Sequence, residues 1–246
     1  MKRRGSAAKP ARTQESHKVV YDQAQWSLLK GFRDRAITVF EALGTWRESS
    51  IIHGSVARGD VDEESDIDIV IPTETATQLV ETNLESSGFT VVTREISQAT
   101  PAHSPKAHLY LDPEQRVVVT IPLLQLRKLE TEFYKFGGAA TLQDLRNNLR
   151  VPGCTKRLTL VEPTIDGHLE SPVVEHEPGV ARKVGVSVEI VRERVRVLTR
   201  RDRYGRTGTF LKLKVPEVVT FEEVLGEEAK TNPALRRTLR IRQRGR

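Results

Sequence analysis

The chain contains a single cysteine and has no long apolar stretch. With only Cys154 among 246 residues, it cannot form an internal disulfide, and one isolated thiol does not indicate a zinc site. No apolar run approaches the roughly 20 residues that a membrane-crossing helix needs. These absences exclude a disulfide-rich secreted domain and a membrane span. We therefore expect a soluble protein in a reducing, cytoplasmic compartment.

Two further signals are missing. The basic amino-terminal segment lacks the apolar stretch of a secretory signal, so we expect no export. Most of the histidines lack the spacing of a metal site; they include His103, His108, His168 and His176. His53 directly precedes Gly54 and either ends a strand or contacts a substrate, and the sequence leaves both readings open.

Charge is distributed unevenly along the chain, beneath a net charge of +6. Residues 1–18 carry six Lys/Arg and one acid, residues 19–150 carry 13 and 19, and residues 151–246 carry 20 and 13. Basic ends that flank an acidic middle indicate either a polyanionic partner or a solvated basic surface. Charge alone does not decide between the two.

The chain is long enough for two modest domains. Its composition predicts five segments: a flexible basic arm (1–17), an α+β domain (18–128), a helical connection and linker (129–158), a small basic domain (159–216) and a basic tail (217–246). Within the α+β domain, apolar residues from Trp26 onward recur every three or four positions, which predicts a helix that Gly44 can end. Strands are predicted at 50–53, 66–71, 89–96, 107–111 and 116–121.

The segment IIHGSVARGDVDEESDIDIVIP, residues 51–72, carries the chemistry. Gly54 lets the backbone approach a ligand closely, and Ser55 and nearby amides offer donors to phosphate oxygens. Arg58 supplies a cation and Ser65 a further hydroxyl. These four residues are the predicted nucleotide-binding set.

Two acids follow on a predicted strand. Asp66 and Asp68 lie two positions apart, so their carboxylates project from one face roughly 6.5 Å apart. At an effective dielectric of about 20 they repel by about 2.5 kcal/mol, and a bound divalent cation removes that repulsion. Mg²⁺ prefers carboxylates, water and phosphate oxygens. The acids and the Gly-Ser turn therefore complement each other across a nucleoside triphosphate.

Gly-Ser, ten intervening residues and then acid-apolar-acid-apolar resembles the motif of the polymerase β nucleotidyltransferase superfamily, over roughly residues 20–125. The resemblance implies a mixed sheet backed by helices and two Mg²⁺ ions. It also implies in-line attack by an acceptor hydroxyl on the α-phosphate of a nucleoside triphosphate, with release of pyrophosphate. Gly54 and Ser55 would hold the β- and γ-phosphates, and Asp66 and Asp68 would be the catalytic, metal-binding acids.

One departure concerns a third carboxylate, which active members of that superfamily usually place on a later strand. The corresponding position in this chain falls on Val119 or Thr120, and neither ionises. Glu95, Asp112 or Glu114 would take the role if the strands align differently. Without a third acid, nucleotide binding can persist while transfer is weak or absent.

The basic domain has a helix-turn-helix pattern. Ala181, Gly185 and Val191 have its small-turn-branched spacing, Ser187 is a suitable N-cap, and a following strand at 210–215 resembles the wing of a winged-helix domain. The residues predicted to contact nucleic acid are Arg192, Arg194, Arg196, Arg200, Arg201, Arg203 and Arg206. The alternative is a small α/β domain whose arginines cover a solvated face.

The sequence therefore predicts an α+β protein: a nucleotidyltransferase mixed sheet backed by helices, plus a small C-terminal winged-helix-like domain. One hypothesis is a Mg²⁺-dependent enzyme that transfers an NMP from an NTP to an acceptor hydroxyl, on nucleic acid or on another molecule. The other is a DNA-binding regulatory protein whose nucleotidyltransferase domain binds nucleotide but is catalytically degenerate.

Overall fold

The computed structural model of the protein describes residues 15–205 and 208–244. Its strands are β1 (His17–Val20), β2 (Ile51–His53), β3 (Ile67–Val70), β4 (Thr93–Gln98), β5 (Lys106–Tyr110), β6 (Val117–Pro122), β7 (Ala139–Ala140), β8 (Gly153–Cys154), β9 (Thr159–Thr164), β10 (Gly167–Pro172) and β11 (Leu211–Lys214). Its helices are α1 (Gln23–Ala42), α2 (Ser55–Arg58), α3 (Thr77–Ser86), α4 (Lys128–Phe136), α5 (Leu142–Arg146), α6 (Glu177–Val184), α7 (Val188–Tyr204), α8 (Phe221–Thr231) and α9 (Pro233–Arg244).

A seven-stranded mixed sheet carries the motif. Its strand order is β11-β4-β5-β6-β3-β2-β7. β3 and β6 run parallel, whereas the other neighbouring pairs are antiparallel. The predicted α+β class, with a mixed sheet backed by helices, is confirmed.

The two faces of this sheet differ because strand side chains alternate. Ile69 of β3 and Val119 of β6 are fully buried in one core with Val39 and Phe40 of α1. Helix α1 begins at Gln23, three residues before Trp26, because Asp22 accepts a hydrogen bond from the Gln25 backbone N–H at 2.7 Å. The helices thus close one face of the sheet, and the other face carries the polar side chains of β3.

The C-terminal segment corrects two predictions. β11, predicted as the wing, pairs antiparallel with β4 at the edge of the large sheet. Residues 217–246, predicted as a basic tail, contain α8 and α9. Phe221 and Leu235 are fully buried in the core of the large sheet, and the Arg94 guanidinium lies 4.7 Å from the centre of the Phe221 ring.

The physical reason lies in the apolar spacing of this segment. Leu211 and Leu213 alternate with lysines, as on a half-buried edge strand. Phe221, Leu225 and Ala229 recur every four residues and form the buried stripe of α8. The arginines near the chain end obscure this pattern when the segment is judged by its charge.

A second, four-stranded antiparallel sheet has the order β1-β10-β9-β8. With α4, α6 and α7 it encloses a separate core of Phe136, Cys154, Leu158, Leu160, Val173, Val180, Ala181, Ile190, Val191 and Leu198. β1 begins at His17, the last residue of the predicted arm; residues 1–14 lie outside the described residues. Helix α4 also packs in this core instead of serving only as a connection.

Helices α6 and α7 pack together across the predicted turn. Gly185 has φ +72°, which favours glycine, and the Ser187 hydroxyl accepts a hydrogen bond from the Ile190 backbone N–H at 3.4 Å. The helix pair thus has the predicted form, whereas the strand after it belongs to the large sheet. Among the helices of the described ranges, none is both long and apolar enough to cross a membrane.

Candidate functional site

The Gly-Ser turn connects β2 to the short helix α2. Gly54 has φ +94° and ψ −149°, a conformation that other residues rarely adopt. Its backbone N–H donates to the Gly138 carbonyl at 3.0 Å, which fixes the turn against the segment before β7. A Cβ atom at Gly54 would meet no atom within 4 Å. The backbone therefore faces open space that a ligand can occupy.

The two acids lie beside this turn: Asp68 is on β3, and Asp66 directly precedes that strand. Asp68 pairs in register with His53 on β2 and with Val118 on β6. Asp66 is exposed and Asp68 is half-buried. Burial raises the pKa of the Asp68 carboxyl, and the charge of Lys156 lowers it by a smaller amount. An exposed carboxylate just before β3 thus lies two residues from a half-buried one on the strand, the spacing that places both on one face.

Ser65 connects the turn to the acids. Its hydroxyl accepts a hydrogen bond from the Ser55 hydroxyl at 3.1 Å and donates to Asp62 Oδ1 at 3.0 Å. The Asp62 backbone N–H also donates to it, at 2.9 Å. Since Ser65 is buried and directly precedes Asp66, it braces the loop between the turn and β3.

Arg58 does not reach the open side of the turn. Its side chain is buried, and its guanidinium donates to the Gly137 carbonyl at 2.5 Å and to Asp60 Oδ2 at 2.8 Å. These contacts give Arg58 a structural role, in which it fixes the backbone behind the Gly-Ser turn, and its contact with phosphate stays a prediction. A buried guanidinium needs such partners because an unpaired buried charge is strongly unfavourable.

The third carboxylate is missing from the strand that neighbours β3. Register places Val118 beside Asp68. Val119 points into the core on the opposite face. Thr120 shares the face of Asp68, but its hydroxyl lies 3.0 Å from His108 Nδ1. The predicted position therefore moves from Val119 or Thr120 to Val118, which cannot bind a metal.

The three alternative acids do not take this place. Glu95 lies on β4, three strand spacings from β3, or about 14 Å, and pairs with Lys212 at 3.1 Å. Asp112 accepts hydrogen bonds from two backbone N–H groups of its turn and lies 3.6 Å from Arg35 of α1. Glu114 is exposed in the turn between β5 and β6. Among the described residues, no group of three His, Cys, Asp or Glu side chains could hold a metal ion.

The donor set that is present nevertheless fits Mg²⁺. Magnesium sites commonly use one or two carboxylates and complete the coordination with water and substrate phosphate oxygens. Asp66 and Asp68 supply the carboxylates, and the open space at Gly54 leaves room for the phosphates. A two-carboxylate metal site that depends on a bound nucleotide is therefore consistent with these residues.

Other side chains lie beside the acids, and two of them, Lys106 and Tyr134, were not identified from the sequence. Burial, and then the charge of Lys106, lower the pKa of His53 to about 3, so its imidazole is neutral. The Lys106 ammonium donates to the Tyr134 hydroxyl at 2.8 Å, and the Tyr134 ring lies 5.0 Å from His53. Lys156, for which the sequence left open a linker role or a phosphate contact, lies close enough to affect Asp68. Only the packing of β2, β5 and α4 brings these residues together.

The exposed face of α7 carries a regular stripe of cations. Its members, which we call the arginine stripe, are Arg192, Arg196, Arg200 and Arg203. Helical neighbours lie three or four residues apart, so these side chains share one face. Within residues 15–205 and 208–244, none of them takes part in an ion pair. An unneutralised row of this kind favours a polyanion.

The other predicted arginines differ from the stripe. Arg194 is turned toward α4, where its guanidinium lies 5.1 Å from the centre of the Phe133 ring. Burial lowers its pKa. Arg201 is exposed beside the stripe, and Arg206 lies outside the described residues. Arg194 therefore lies apart from the arginine stripe, and its contact with nucleic acid stays a prediction.

The comparisons with known proteins agree with this geometry. No curated protein matches the chain. Residues 33–122, from within α1 to the end of β6, match the family model described as a nucleotidyltransferase domain. The matched segment includes the Gly-Ser turn and both acids of β3. The match supports the nucleotidyltransferase superfamily, and with it nucleotidyl transfer, for this part of the chain.

Proposed function

We propose that the protein is a Mg²⁺-dependent nucleotidyltransferase that moves an NMP from a nucleoside triphosphate to an acceptor hydroxyl. One observation carries the proposal: the Ser55–Ser65 hydrogen bond joins the Gly-Ser turn directly to the strand that bears Asp66 and Asp68. Phosphate-binding backbone and metal-binding acids thus form one unit. The match over residues 33–122 supports the reaction class.

In the proposed reaction, the acceptor oxygen forms a bond to the α-phosphorus while the bond from that phosphorus to pyrophosphate breaks. The hydroxyl proton passes to solvent. Asp66 and Asp68 would hold Mg²⁺, which, when bound, offsets negative charge on the phosphate oxygens. Gly54 and Ser55 orient the triphosphate tail with backbone and hydroxyl donors, and buried Arg58 keeps that turn in place.

Val118→Asp is expected to raise the rate of pyrophosphate release by about 10- to 100-fold. The substitution adds a carboxylate in register with Asp68, where it can accept the acceptor's proton, and general-base catalysis contributes factors of this size or larger. The measurement is pyrophosphate release from an NTP with Mg²⁺. Val118→Asn is the control, since it has nearly the same size without the charge. Equal rates for the two variants would contradict the role assigned to this position.

We propose nucleic-acid binding as a second function, and the arginine stripe supports it. Nucleic-acid binding suits an enzyme that holds a nucleic acid while it transfers a nucleotide. It equally suits a DNA-binding regulatory protein whose nucleotidyltransferase domain binds nucleotide without transferring it. Pyrophosphate release separates the two, because a degenerate domain would bind Mg²⁺-NTP and release none across a broad set of acceptors.

The triple variant Arg192→Gln/Arg196→Gln/Arg200→Gln is expected to weaken binding to duplex DNA. Each phosphate contact contributes about 0.9 to the slope of log affinity against log salt, so the slope should fall by up to about 3. Fluorescence anisotropy with a labelled duplex at several salt concentrations measures both quantities.

The matched control is Arg35→Gln/Arg47→Gln/Arg146→Gln, which removes three paired surface arginines away from α7. We expect it to bind DNA nearly as well as the unchanged protein. If both triple variants lose affinity and slope equally, binding follows net charge and the stripe is not a specific surface.

A further inference from the structure

Helix α9 presents three exposed arginines on one side. Arg236 and Arg237 lie four and three residues before Arg240, so the three side chains share a face of the helix. Among the ion pairs of the described residues, none includes any of the three. Together with Pro233 and Ile241 they line a surface depression of about 330 Å³. Unneutralised cations around a depression attract an anion.

The opposite side of α9 is buried, which fixes the helix on the protein. Leu235 is fully buried in the core of the large sheet, and Leu239 packs against the same core. The Thr238 hydroxyl donates to the Pro101 carbonyl at 2.5 Å. The Asn232 side chain accepts a hydrogen bond from the Leu235 backbone N–H at 3.1 Å and so caps the start of the helix. The three arginines are therefore held on an ordered helix.

Acids on the neighbouring helix α8 confine this cationic surface to α9 without neutralising it. Each glutamate of α8 contacts a residue other than the three arginines; the pairs are Glu222–Thr77, Glu223–Thr220, Glu227–Lys230 and Glu228–Asn232. The guanidinium groups of α9 thus keep their charge available to a partner, which would lie along α9 and away from α8.

The arginine stripe and α9 lie on opposite sides of the large sheet. The registers of β3, β6 and β5 place Lys106 on the same face of the sheet as Asp68. Lys106 donates to Tyr134 of α4 at 2.8 Å, and α7 packs against α4. Leu235 of α9 is buried with Ile69, whose side chain points to the other face. The sheet therefore separates the two basic helices.

The exposed chemistry of α9 favours a phosphodiester backbone over a lipid surface. A helix that lies in a membrane interface inserts its apolar side into the lipid. The apolar side of α9, with Leu235 and Leu239, faces the protein core instead. Guanidinium groups form paired hydrogen bonds with phosphate oxygens. A regular row of phosphates can contact several of them at once, and each contact adds to the affinity.

We propose that α9 is a second nucleic-acid surface, which contacts the phosphodiester backbone of a duplex through Arg236, Arg237 and Arg240. Because the arginine stripe lies across the sheet, one protein molecule then bridges two duplex segments. The bridging rests on the proposed binding at the arginine stripe, whereas the contact at α9 does not. Neither contact depends on nucleotidyl transfer.

A bead assay on the full chain tests the inference. One duplex is fixed to beads, and capture of a second, fluorescent duplex is measured with and without protein. We expect the unchanged protein to capture the second duplex. The variant Arg236→Gln/Arg237→Gln/Arg240→Gln should capture no more than beads without protein, while fluorescence anisotropy should show that it still binds a single duplex. Circular dichroism melting verifies that each variant is folded.

The control of equal charge is Arg35→Gln/Arg47→Gln/Arg146→Gln, whose arginines are paired and lie away from both basic helices. It should capture the second duplex as well as the unchanged protein does. Equal loss of capture in this control and in the α9 variant would overturn the inference, since net charge would then be the cause. Capture by the α9 variant at the level of the unchanged protein would also overturn it. So would vesicles of phosphatidylserine that bind the unchanged protein and not the α9 variant, if no second duplex is captured.

The variant Arg192→Gln/Arg196→Gln/Arg200→Gln keeps the two proposals apart. If it retains full affinity for a single duplex and the α9 variant loses that affinity, the arginine stripe is wrong and the α9 surface stands. If it loses affinity for a single duplex, and the unchanged protein binds one duplex but captures no second, the stripe stands and the α9 surface is overturned.

Discussion

Replacing Asp68 by Asn is expected to reduce pyrophosphate release from an NTP by at least about 10³-fold, and Asp66→Asn by a similar factor. Metal ions contribute several kcal/mol of charge stabilisation in such transfers, and about 4 kcal/mol corresponds to this factor. Asp66 and Asp68 are the two carboxylates that β3 presents beside the Gly-Ser turn, so no neighbouring strand supplies a replacement. A coupled assay for pyrophosphate measures the effect.

Asp34→Asn is the matched control for these substitutions. Asp34 lies exposed on α1 and pairs with Lys30 at 2.5 Å, so its replacement should leave the rate unchanged. Calorimetric titration of Mg²⁺-NTP should show weaker binding in both β3 variants, because the shared metal contributes to affinity. Unchanged release in Asp68→Asn would remove the metal role from β3. No release from the unchanged protein, with Mg²⁺-NTP binding retained, would favour the degenerate, regulatory alternative.

Phe221→Ala is expected to lower the free energy of unfolding by about 3–5 kcal/mol, the usual effect of removing a large buried aromatic side chain. Phe221 is fully buried in the core of the large sheet and contacts the guanidinium of Arg94. Arg94 in turn donates to the carbonyls of Pro216 and Val219. Urea denaturation followed by circular dichroism gives the free energy of unfolding.

Val218→Ala is the nearby control, because Val218 is 92% exposed and surface changes of this kind usually alter stability by less than about 0.5 kcal/mol. A small effect of Phe221→Ala would mean that α8 does not complete the core.

The role of α8 in the core also limits how nucleic-acid binding can be tested. Truncation after Leu149 would remove β11 and α8 from the large sheet and its core, so only point variants on α7 give a clear result.

The local pattern of apolar, capping and turn residues in the sequence was sufficient to predict much of the secondary structure. The apolar spacing after Trp26 predicts α1, and alternation over 66–71 predicts β3, which carries Asp68 and directly follows Asp66. Gly185 and Ser187 mark the turn and the N-cap between α6 and α7. Each of these features depends on residues a few positions apart, where helical or strand periodicity dictates which side chains share a face.

Contacts between distant segments were not predictable in this way. The register of β6 against β3 places Val118 beside Asp68, one residue from the predicted position, and a shift of one residue reverses the face of every side chain. The local sequence around Arg58 and Arg194 does not distinguish them from exposed arginines. Packing decides that Arg58 is buried beside Asp60 and that Arg194 is partly buried against Phe133.

The sequence by itself determined the site's chemistry: a glycine that tolerates the turn, a serine hydroxyl and two acids on one strand face. It did so because those properties arise from covalent geometry over a few residues. Only the tertiary structure decided that Val118 is the residue of β6 beside Asp68, that Arg58 is buried behind the turn, and that the C-terminal helices complete the large core. These depend on strand pairing and packing between residues far apart in the chain, for which local periodicity carries no information.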